Sequence, residues 1–275
     1  MPAEQEMQPL NNEQLKPLLG SPEASVEKAP VAEVVKPVVA QDSRKQSKMG
    51  SVLSTMKQVG FLSLACVHLY CAAKLAEPGS SLFSWHPVLA SAAFGLVMPE
   101  AFTQISRLSE FGKRFSYRSR ITLHWVLQVT ALLLASVGVG CIVANKFQAN
   151  RPHLKTFHAW FGAITFAFAI IQSVGGFLIM NPRFKPTFAP TQAKMKVYHA
   201  ASAAGLMMLA AAAMFISNYS LYMAKHKMAA SVYATGMWVY PRVLAARSLW
   251  TIYDTGAFGK LFQQAPIVEQ RDSTL

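Results

Sequence analysis

The sequence predicts an all-α protein, a six-helix transmembrane bundle, on three observations. Of its 275 residues, 52% are hydrophobic and only 14% are charged, which is too apolar for a soluble domain of this size. Six apolar segments each approach the ~20 residues that a membrane-spanning helix needs. The connections between these segments are short, so we expect neighbouring helices to run antiparallel.

The six predicted helices follow one another through most of the chain. Their approximate bounds are 58–76, 83–105, 121–145, 156–180, 196–218 and 229–252. The sixth segment is the weakest, because Pro241, Arg242 and Arg247 interrupt it. We expect its arginines to lie toward the cytoplasmic end of that helix.

Both ends of the chain are predicted to lie outside the membrane domain. Residues 1–56 carry six prolines among mixed charges and few aromatic residues, which is typical of a disordered tail. The tail has no short apolar core of the kind found in a cleaved signal peptide, so the first membrane helix should act as the targeting signal. The membrane domain is expected over 57–253 and a cytosolic C-terminal tail over 254–275.

Lysine and arginine are unevenly divided between the two sets of connections. Residues 44–57, just before the first helix, and the second-to-third and fourth-to-fifth connections hold 13 of these residues, whereas the opposite connections hold 5. Because cytoplasmic loops of membrane proteins are enriched in lysine and arginine, both termini should be cytosolic. The net charge of +13 therefore indicates basic loops that are retained on the cytoplasmic side of the membrane. We expect no nucleic-acid partner.

Four histidines recur at similar intervals, each a few residues inside the start of an apolar segment. They are His86, His124, His158 and His199, separated by 38, 34 and 41 residues. Since consecutive helices alternate in direction, His86 and His158 should lie toward the lumen or exterior, and His124 and His199 toward the cytoplasm. The sequence thus predicts two pairs of histidines on opposite sides of the membrane.

Two imidazoles that face each other across a bundle suit a six-coordinate haem, an apolar disc that a lipid-embedded bundle can bury. The positive end of the helix dipole disfavours imidazolium, which keeps each histidine neutral and able to bind iron. Gly138, Gly176 and Ala213 follow a histidine by 14, 18 and 14 residues on nearly the same helix face. These small residues would give room to the other macrocycle, or they would simply pack membrane helices together.

Four short motifs surround the histidines. They are Ser84-Trp85-His86-Pro87, His124-Trp125-Val126-Leu127-Gln128, Thr156-Phe157-His158-Ala159-Trp160 and Lys196-Val197-Tyr198-His199-Ala200. Together they resemble the cytochrome b561 family, most closely its animal "cytochrome b561 domain-containing" branch. The resemblance covers about residues 58 to 253, nearly the whole membrane part.

This resemblance implies a transmembrane oxidoreductase with two non-covalent b haems. The axial ligands of the haem iron would be His86 and His158 for the lumenal haem, and His124 and His199 for the cytosolic haem. Single electrons would pass from cytosolic ascorbate to monodehydroascorbate or a ferric chelate on the lumenal or extracellular side. An endomembrane such as the endoplasmic reticulum or endocytic and secretory vesicles, and a homodimer, are further implications.

The candidate substrate residues follow from charge. Ascorbate-using family members carry an Ala-Leu-Leu-Val-Tyr-Arg-like run at the end of the second helix, and only the beginning of the stretch 100–107 agrees with it. Basic loops would still attract an anionic reductant. The cytosolic candidates are Arg107, Arg118, Arg120, Lys194 and Lys196. On the other side, His153 and Lys155 could meet an anionic acceptor.

Two other functions are compatible with parts of the pattern. A divalent metal transporter could use the histidines as a zinc or copper path, but it predicts more carboxylates and thiols at membrane depth than Glu100 and three scattered cysteines provide. A cofactor-free membrane scaffold predicts that His86→Ala changes nothing and leaves the alternating histidines unexplained. His68, without a second histidine at helical spacing, is expected to be a packed polar residue.

Overall fold

Helices make up the regular secondary structure of the residues that the structure, a computed structural model, describes: 39–105, 112–220 and 232–255. The chain divides into two compact units, Met1–Lys45 and Gln46–Leu275. Of the first unit, only residues 39–45 are described, and they are helical. The second unit holds the membrane helices.

Six long helices correspond to the six apolar segments. They are α1 (Val39–Ala76), α2 (Leu82–Ile105), α3 (Tyr117–Gln148), α4 (Phe157–Met180), α5 (Gln192–Ser217) and α6 (Val232–Thr255). The bounds of α2 to α5 agree with the predicted segments to within four residues. The predicted all-α transmembrane bundle is confirmed.

Within the described ranges, five helices are long and apolar enough to cross a membrane: Gly50–Ala76 of α1, and α2, α3, α4 and α5. The sixth helix, α6, is as long as α4 at 24 residues, but its sequence is less apolar. Pro241 lies inside it, as the sequence indicated, and the helix continues past this residue to Thr255. Five apolar helices of the described residues therefore support a multi-pass membrane protein, and a less apolar sixth helix packs beside them.

The first helix is longer than predicted. It begins at Val39, inside the segment 1–56 that we predicted to be a disordered tail. The last proline of that segment is Pro37, and from there to the membrane the chain has no further residue that lacks a backbone N–H. The compositional argument for disorder thus loses its strongest element after Pro37, while residues 1–38 lie outside the described residues.

Each of the four helices that carry the recurring histidines begins at a hydroxyl N-cap. Ser81, Ser116, Thr156 and Thr191 accept a hydrogen bond from the backbone N–H three residues later. Such caps satisfy N–H groups that have no partner inside the helix. The caps fix where each helix starts, and so fix the depth of the histidine that follows.

Helix α2 contains a π-helical stretch, Ser91–Val97, between two α-helical parts. Nothing in the hydrophobic pattern indicated it. Here Gly95 lies under Tyr240 of α6, whose hydroxyl donates a hydrogen bond to the Gly95 carbonyl. A side chain on Gly95 would meet the Tyr240 ring at 3.3 Å, so glycine allows this close approach.

Three apolar clusters of described residues hold the helices together, and the two larger ones join three or more helices each. The largest joins α2, α3, α4 and α5 and is built mainly from small residues, including Ala93, Ala135, Ala169 and Ala210. Small side chains let membrane helices approach closely. The second cluster packs α1 and α6 against α5, with the fully buried Tyr240 at its centre.

His68 of α1 belongs to this outer contact. Its ring is buried, stacks on Tyr240 with a centroid separation of 4.8 Å, and places Nδ1 3.4 Å from the Gly236 carbonyl oxygen. These contacts agree with the expected packed polar residue. Nearby, the Arg247 guanidinium lies 3.6 Å from the centre of the Phe61 ring.

Candidate functional site

The four recurring histidines lie in two facing pairs. The ring centroids of His86 and His158 are 6.1 Å apart, and those of His124 and His199 are 6.4 Å apart. The two rings of a pair are steeply inclined to each other, at 71° and 84°. The structure therefore brings together the residues that the alternation of helix directions predicted, and each pair joins two helices that are not consecutive in sequence.

In the first pair, each ring makes a hydrogen bond to a backbone carbonyl of a neighbouring helix. His86 Nδ1 lies 3.0 Å from the Gly138 oxygen on α3, and His158 Nδ1 lies 3.0 Å from the Ala213 oxygen on α5. A carbonyl only accepts, so Nδ1 must carry the proton. The lone pair is then on Nε2, which is the arrangement found in metal-binding histidines.

The second pair is anchored differently. His124 Nδ1 donates to the Ala101 carbonyl oxygen of α2 at 2.7 Å, as in the first pair. His199 Nδ1 is buried and, within the described part of the chain, has no hydrogen-bond partner. Instead, the His199 ring rests against two glycines of α4: a Cβ would lie 3.7 Å from Nδ1 at Gly175 and 3.4 Å from Cε1 at Gly176.

The small residues singled out in the sequence lie beside the histidines of the other pair. Gly138 and Ala213 supply the carbonyls that orient His86 and His158, and Gly176 backs His199. For Gly138, however, the missing side chain faces α2, because a Cβ would lie 3.1 Å from Leu89 Cβ. At that position glycine lets two helices pack closely, which was the alternative interpretation.

The spacing of each pair fits a metal bound between two imidazoles. Metal–nitrogen bonds of about 2.0 Å, with roughly 1.1 Å from each nitrogen to its ring centre, place two axial rings roughly 6.2 Å apart. The observed separations of 6.1 Å and 6.4 Å agree with this value. Two imidazoles are also a donor set that suits a six-coordinate b haem, and Nε2 is the free nitrogen of the three rings whose Nδ1 donates to a carbonyl.

A cavity of 620 Å³ adjoins the first pair and is lined by both His86 and His158. Its walls are mostly apolar and come from all of α1 to α6, with Phe94, Ile142 and Met214 among them. A cavity of this size lies within the range of sites that hold small molecules and cofactors. The residues present therefore fit a flat apolar cofactor at this end of the bundle.

The cytosolic candidates have different environments. Arg120 donates from Nε to the Gln104 oxygen at 2.7 Å and from Nη2 to the Ile105 oxygen at 3.0 Å, which caps the end of α2. Arg118 and Lys196 are exposed, and Lys194 is half-buried. The fifth candidate, Arg107, lies outside the described residues. Arg118, Lys194 and Lys196 all lie near the start of the helix that carries His124 or His199.

The two candidates at the other end, His153 and Lys155, also differ in their position relative to the cavity. His153 lines the cavity, and its ring packs on Phe147 with a centroid separation of 4.8 Å. Lys155, two residues later, is exposed and does not line the cavity. Only His153 of this predicted couple therefore adjoins the space beside the first histidine pair.

Some functional contacts could not have been found from the sequence. The carbonyls that orient the histidines belong to Ala101, Gly138 and Ala213, and any residue type can supply a carbonyl. Gln172 of α4 is more recognisable, since it is a buried amide inside an apolar helix, and its Nε2 lies 2.5 Å from Ser202 Oγ and 3.5 Å from the His199 oxygen. A polar residue at membrane depth was the available signal.

Glu100 is the carboxylate that the sequence places at membrane depth. Its two oxygens accept hydrogen bonds from Gln58 Nε2 at 3.2 Å and from Thr103 Oγ1 at 3.1 Å. It is also close enough to Arg247 for the two charges to interact. These contacts tie α2 to α1 and α6, so Glu100 takes part in the packing of the outer helices.

Comparison with known proteins identifies relatives that share this part of the chain. The family profile of eukaryotic cytochrome b561 matches residues 85–225. The transmembrane reductase CYB561D2 of Mus musculus is 40% identical over 150 residues, which are 54% of this chain and 67% of that protein. The probable transmembrane reductase CYB561D1 of Homo sapiens is 32% identical over 180 residues, 65% of this chain and 78% of its own.

A more distant relative is the lysosomal membrane ascorbate-dependent ferrireductase CYB561A3 of Bos taurus. It is 30% identical over 104 residues, 37% of this chain and 38% of that protein. The matched part of the chain contains all four paired histidines. With its apolar helices and its two pairs of facing imidazoles, this chain belongs to the cytochrome b561 family of haem b-binding transmembrane reductases.

Proposed function

We propose that the protein carries single electrons across a membrane through two b haems, from cytosolic ascorbate to monodehydroascorbate or a ferric chelate on the lumenal or extracellular side. One observation carries the proposal: two pairs of facing imidazoles lie at opposite ends of the same four-helix core. A single pair would suit a haem for electron storage or sensing. Two pairs in series suit transfer from one membrane face to the other.

Each histidine would bind iron through Nε2. The carbonyls of Gly138, Ala213 and Ala101 hold the Nδ1 protons of His86, His158 and His124, so these rings are kept in a fixed orientation and would serve as neutral ligands. The contact of His199 with Gly175 and Gly176 limits the rotation of the fourth ring. When bound, the haems supply the one-electron chemistry that amino-acid side chains lack.

The helices between the two pairs keep water away from the path. Ala93 and Phe94 of α2 pack with Ala135 of α3, Ala169 of α4 and Ala210 of α5 in one buried cluster. Such a dry, low-dielectric interior keeps the two ends of the bundle separate. The protein therefore separates donor from acceptor while the electron alone crosses.

On the donor side, Arg118, Lys194 and Lys196 would attract the ascorbate monoanion to the end that holds His124 and His199. Arg120 supports this face by capping α2. The name of the relative from Bos taurus includes both ascorbate dependence and ferric reduction, which supports this choice of donor and a ferric acceptor. On the acceptor side, His153 adjoins the cavity beside His86 and His158.

The excess of lysine and arginine in alternate connections supports cytosolic termini. The endomembrane location is proposed from the family resemblance. We propose residues 57–253 as the reductase unit, with cytosolic segments 1–56 and 254–275 on either side. A homodimer remains a prediction from the family resemblance.

The test is a spectrum of the purified full-length protein. We expect a pyridine haemochrome assay to count two b haems per chain, and ascorbate to reduce both within seconds. A transmembrane assay with protein in liposomes, ascorbate outside and ferric citrate inside, should then show iron reduction in the lumen.

Three outcomes would count against the proposal in different ways. Two haems that do not respond to ascorbate would reject the donor and keep the haem sites. One haem per chain would reject the transfer path. Absence of haem would return the metal transporter and the scaffold to consideration, and zinc uptake into the same liposomes would separate them.

A further inference from the structure

Among the described residues, Lys146 places an ammonium group at the edge of the cavity beside His86 and His158. Lys146 occupies the last turn of α3, where the negative end of the helix dipole favours a cation. Its side chain lines the cavity, and it is close enough to His158 for its charge to act on that ring. In the sequence, Lys146 is one of the five lysines and arginines in the non-cytoplasmic connections, and the motifs around the histidines do not include it.

The connection from α3 to α4 holds Lys146 in place. Its Nζ donates to the Pro152 oxygen at 3.1 Å, and its own carbonyl accepts from the Arg151 N–H at 2.9 Å. An ammonium has three protons to donate, so two remain available after the bond to Pro152. Lys146 is thus fixed by one bond and can still make two others.

The same connection adopts an unfavourable backbone. Leu154 has a φ of +52°, a left-handed conformation that branched and bulky residues seldom adopt. Both Leu154 and the neighbouring His153 line the cavity beside Lys146. Strained residues of this kind are often found at ligand-binding segments, where surrounding contacts offset the cost of the strain.

The described part of the cavity wall offers no carboxylate to the charge of Lys146. Among the described residues that line the cavity, none is an aspartate or a glutamate. A cation at the edge of an apolar space favours an anion there, because the interaction is stronger where water is scarce. A carboxylate is one anion that accepts such charge-assisted hydrogen bonds from a lysine ammonium, and both the haem and the proposed acceptor carry carboxylates.

We propose that Lys146, with His153 beside it, forms a carboxylate-binding subsite at the mouth of the cavity next to His86 and His158. The inference rests on the proposed function, because both sources of the carboxylate belong to it. One source is a propionate of the haem bound between these histidines. The other is a carboxylate of the soluble acceptor, such as a citrate ligand of ferric iron.

The variant that tests the subsite is Lys146→Gln, measured on the purified holoprotein. Glutamine keeps an N–H donor for the Pro152 oxygen and removes only the charge. The matched control is Arg151→Gln, which removes one positive charge from the same connection at an exposed position that does not line the cavity. Lys146→Arg, which keeps the charge, should behave as the wild type.

Two readouts distinguish the sources of the carboxylate. A haem propionate is identified if Lys146→Gln alone shifts the propionate-bending bands in the resonance Raman spectrum and lowers the midpoint potential of one haem. A soluble acceptor is identified if the Raman bands stay unchanged and the KM for ferric citrate rises at least threefold, with no change in the KM for the cationic acceptor hexaammineruthenium. Loss of haem from a folded, monodisperse Lys146→Gln protein, but not from the other two variants, also identifies the propionate.

The subsite is rejected if Lys146→Gln and Arg151→Gln give the same Raman bands, midpoint potentials and KM values. That result would leave the proposed function intact, since both haems would still be present and reducible. Failure of the proposed function is seen separately, as a wild-type protein that lacks haem or does not react with ascorbate.

Discussion

The two histidine pairs of this protein are anchored by different means. Around His86 and His158, both rings are hydrogen-bonded to carbonyls of neighbouring helices. Around His124 and His199, only His124 has such a bond, and the His199 ring is held by contact with two glycines. The comparison shows that a ring can be oriented either by a directional bond or by the shape of the helix surface beside it.

The difference has a physical consequence for each site. A carbonyl bond fixes both the tautomer and the plane of an imidazole, and it tolerates changes in neighbouring side chains. A ring held by packing depends on the absence of atoms, so it should be sensitive to any side chain added at the contact.

Removing one ligand should eliminate one haem and leave the other. We expect His86→Ala and His158→Ala to lose the same haem, and His124→Ala and His199→Ala to lose the other, because each pair lies about 6 Å apart at its own end of the bundle. Haem per chain should fall from two to one in the haemochrome assay. Loss of the same haem from His86→Ala and His124→Ala would contradict the pairing.

Gly176→Val should disturb only the pair that is held by packing. A Cβ at Gly176 already lies 3.4 Å from His199 Cε1, so the branched side chain would push the ring out of place. We expect the α-band of one haem to shift or to lose at least half of its intensity. Gly140→Val is the control, because a Cβ at that exposed position meets nothing within 4 Å. Equal spectra of the two variants would show that packing does not position His199.

Tyr240→Phe should affect both pairs alike. The hydroxyl of Tyr240 bonds to Gly95 in the π-helical part of α2, between His86 and the Ala101 carbonyl that orients His124. Hydrogen bonds between membrane helices contribute about 0.6 kcal/mol on average and about 1.7 kcal/mol at most. We expect a small decrease in the temperature at which the Soret band is lost, with unchanged haem content. A change confined to one haem would indicate that α6 supports the two pairs unequally.

Arg120→Gln should have the smallest effect. It removes two hydrogen bonds at the end of α2, where interactions with the helix terminus contribute about 0.3–1 kcal/mol. We expect slightly lower thermal stability and an unchanged KM for ascorbate. Arg118→Gln, at an exposed neighbouring cation, should raise that KM. If Arg120→Gln raises the KM as much as Arg118→Gln, then Arg120 also meets the donor.

The sequence predicted much of the fold because membrane helices depend on features that are local in the chain. Length and hydropathy placed α2 to α5 to within four residues. The pairing of histidines followed from the alternation of helix directions. The early start of α1 was missed because composition was averaged over the whole segment 1–56, although its prolines end at Pro37.

Other parts of the site could not be predicted, since they depend on contacts between distant residues. The carbonyl partners of the rings have no residue signature, and the π-helical stretch Ser91–Val97 has no hydrophobic period of its own. Arg120 and Arg118 look equivalent in the sequence, but only Arg120 has the reach and direction to cap α2. Lys146 looked like one more loop cation until the fold placed it at the cavity.

The histidine pairs are interleaved along the chain, with α2 facing α4 and α3 facing α5. This arrangement sets the order in which the two sites can close during translation. When α2 and α3 have left the ribosome, the chain holds one histidine of each pair and cannot close either site. The first pair can form once His158 of α4 has been made, and the second after 41 more residues, when His199 follows. At about 5–20 residues per second, translation separates the two events by about 2–8 seconds. A nascent chain that stops within this interval would hold one closed site and one open one.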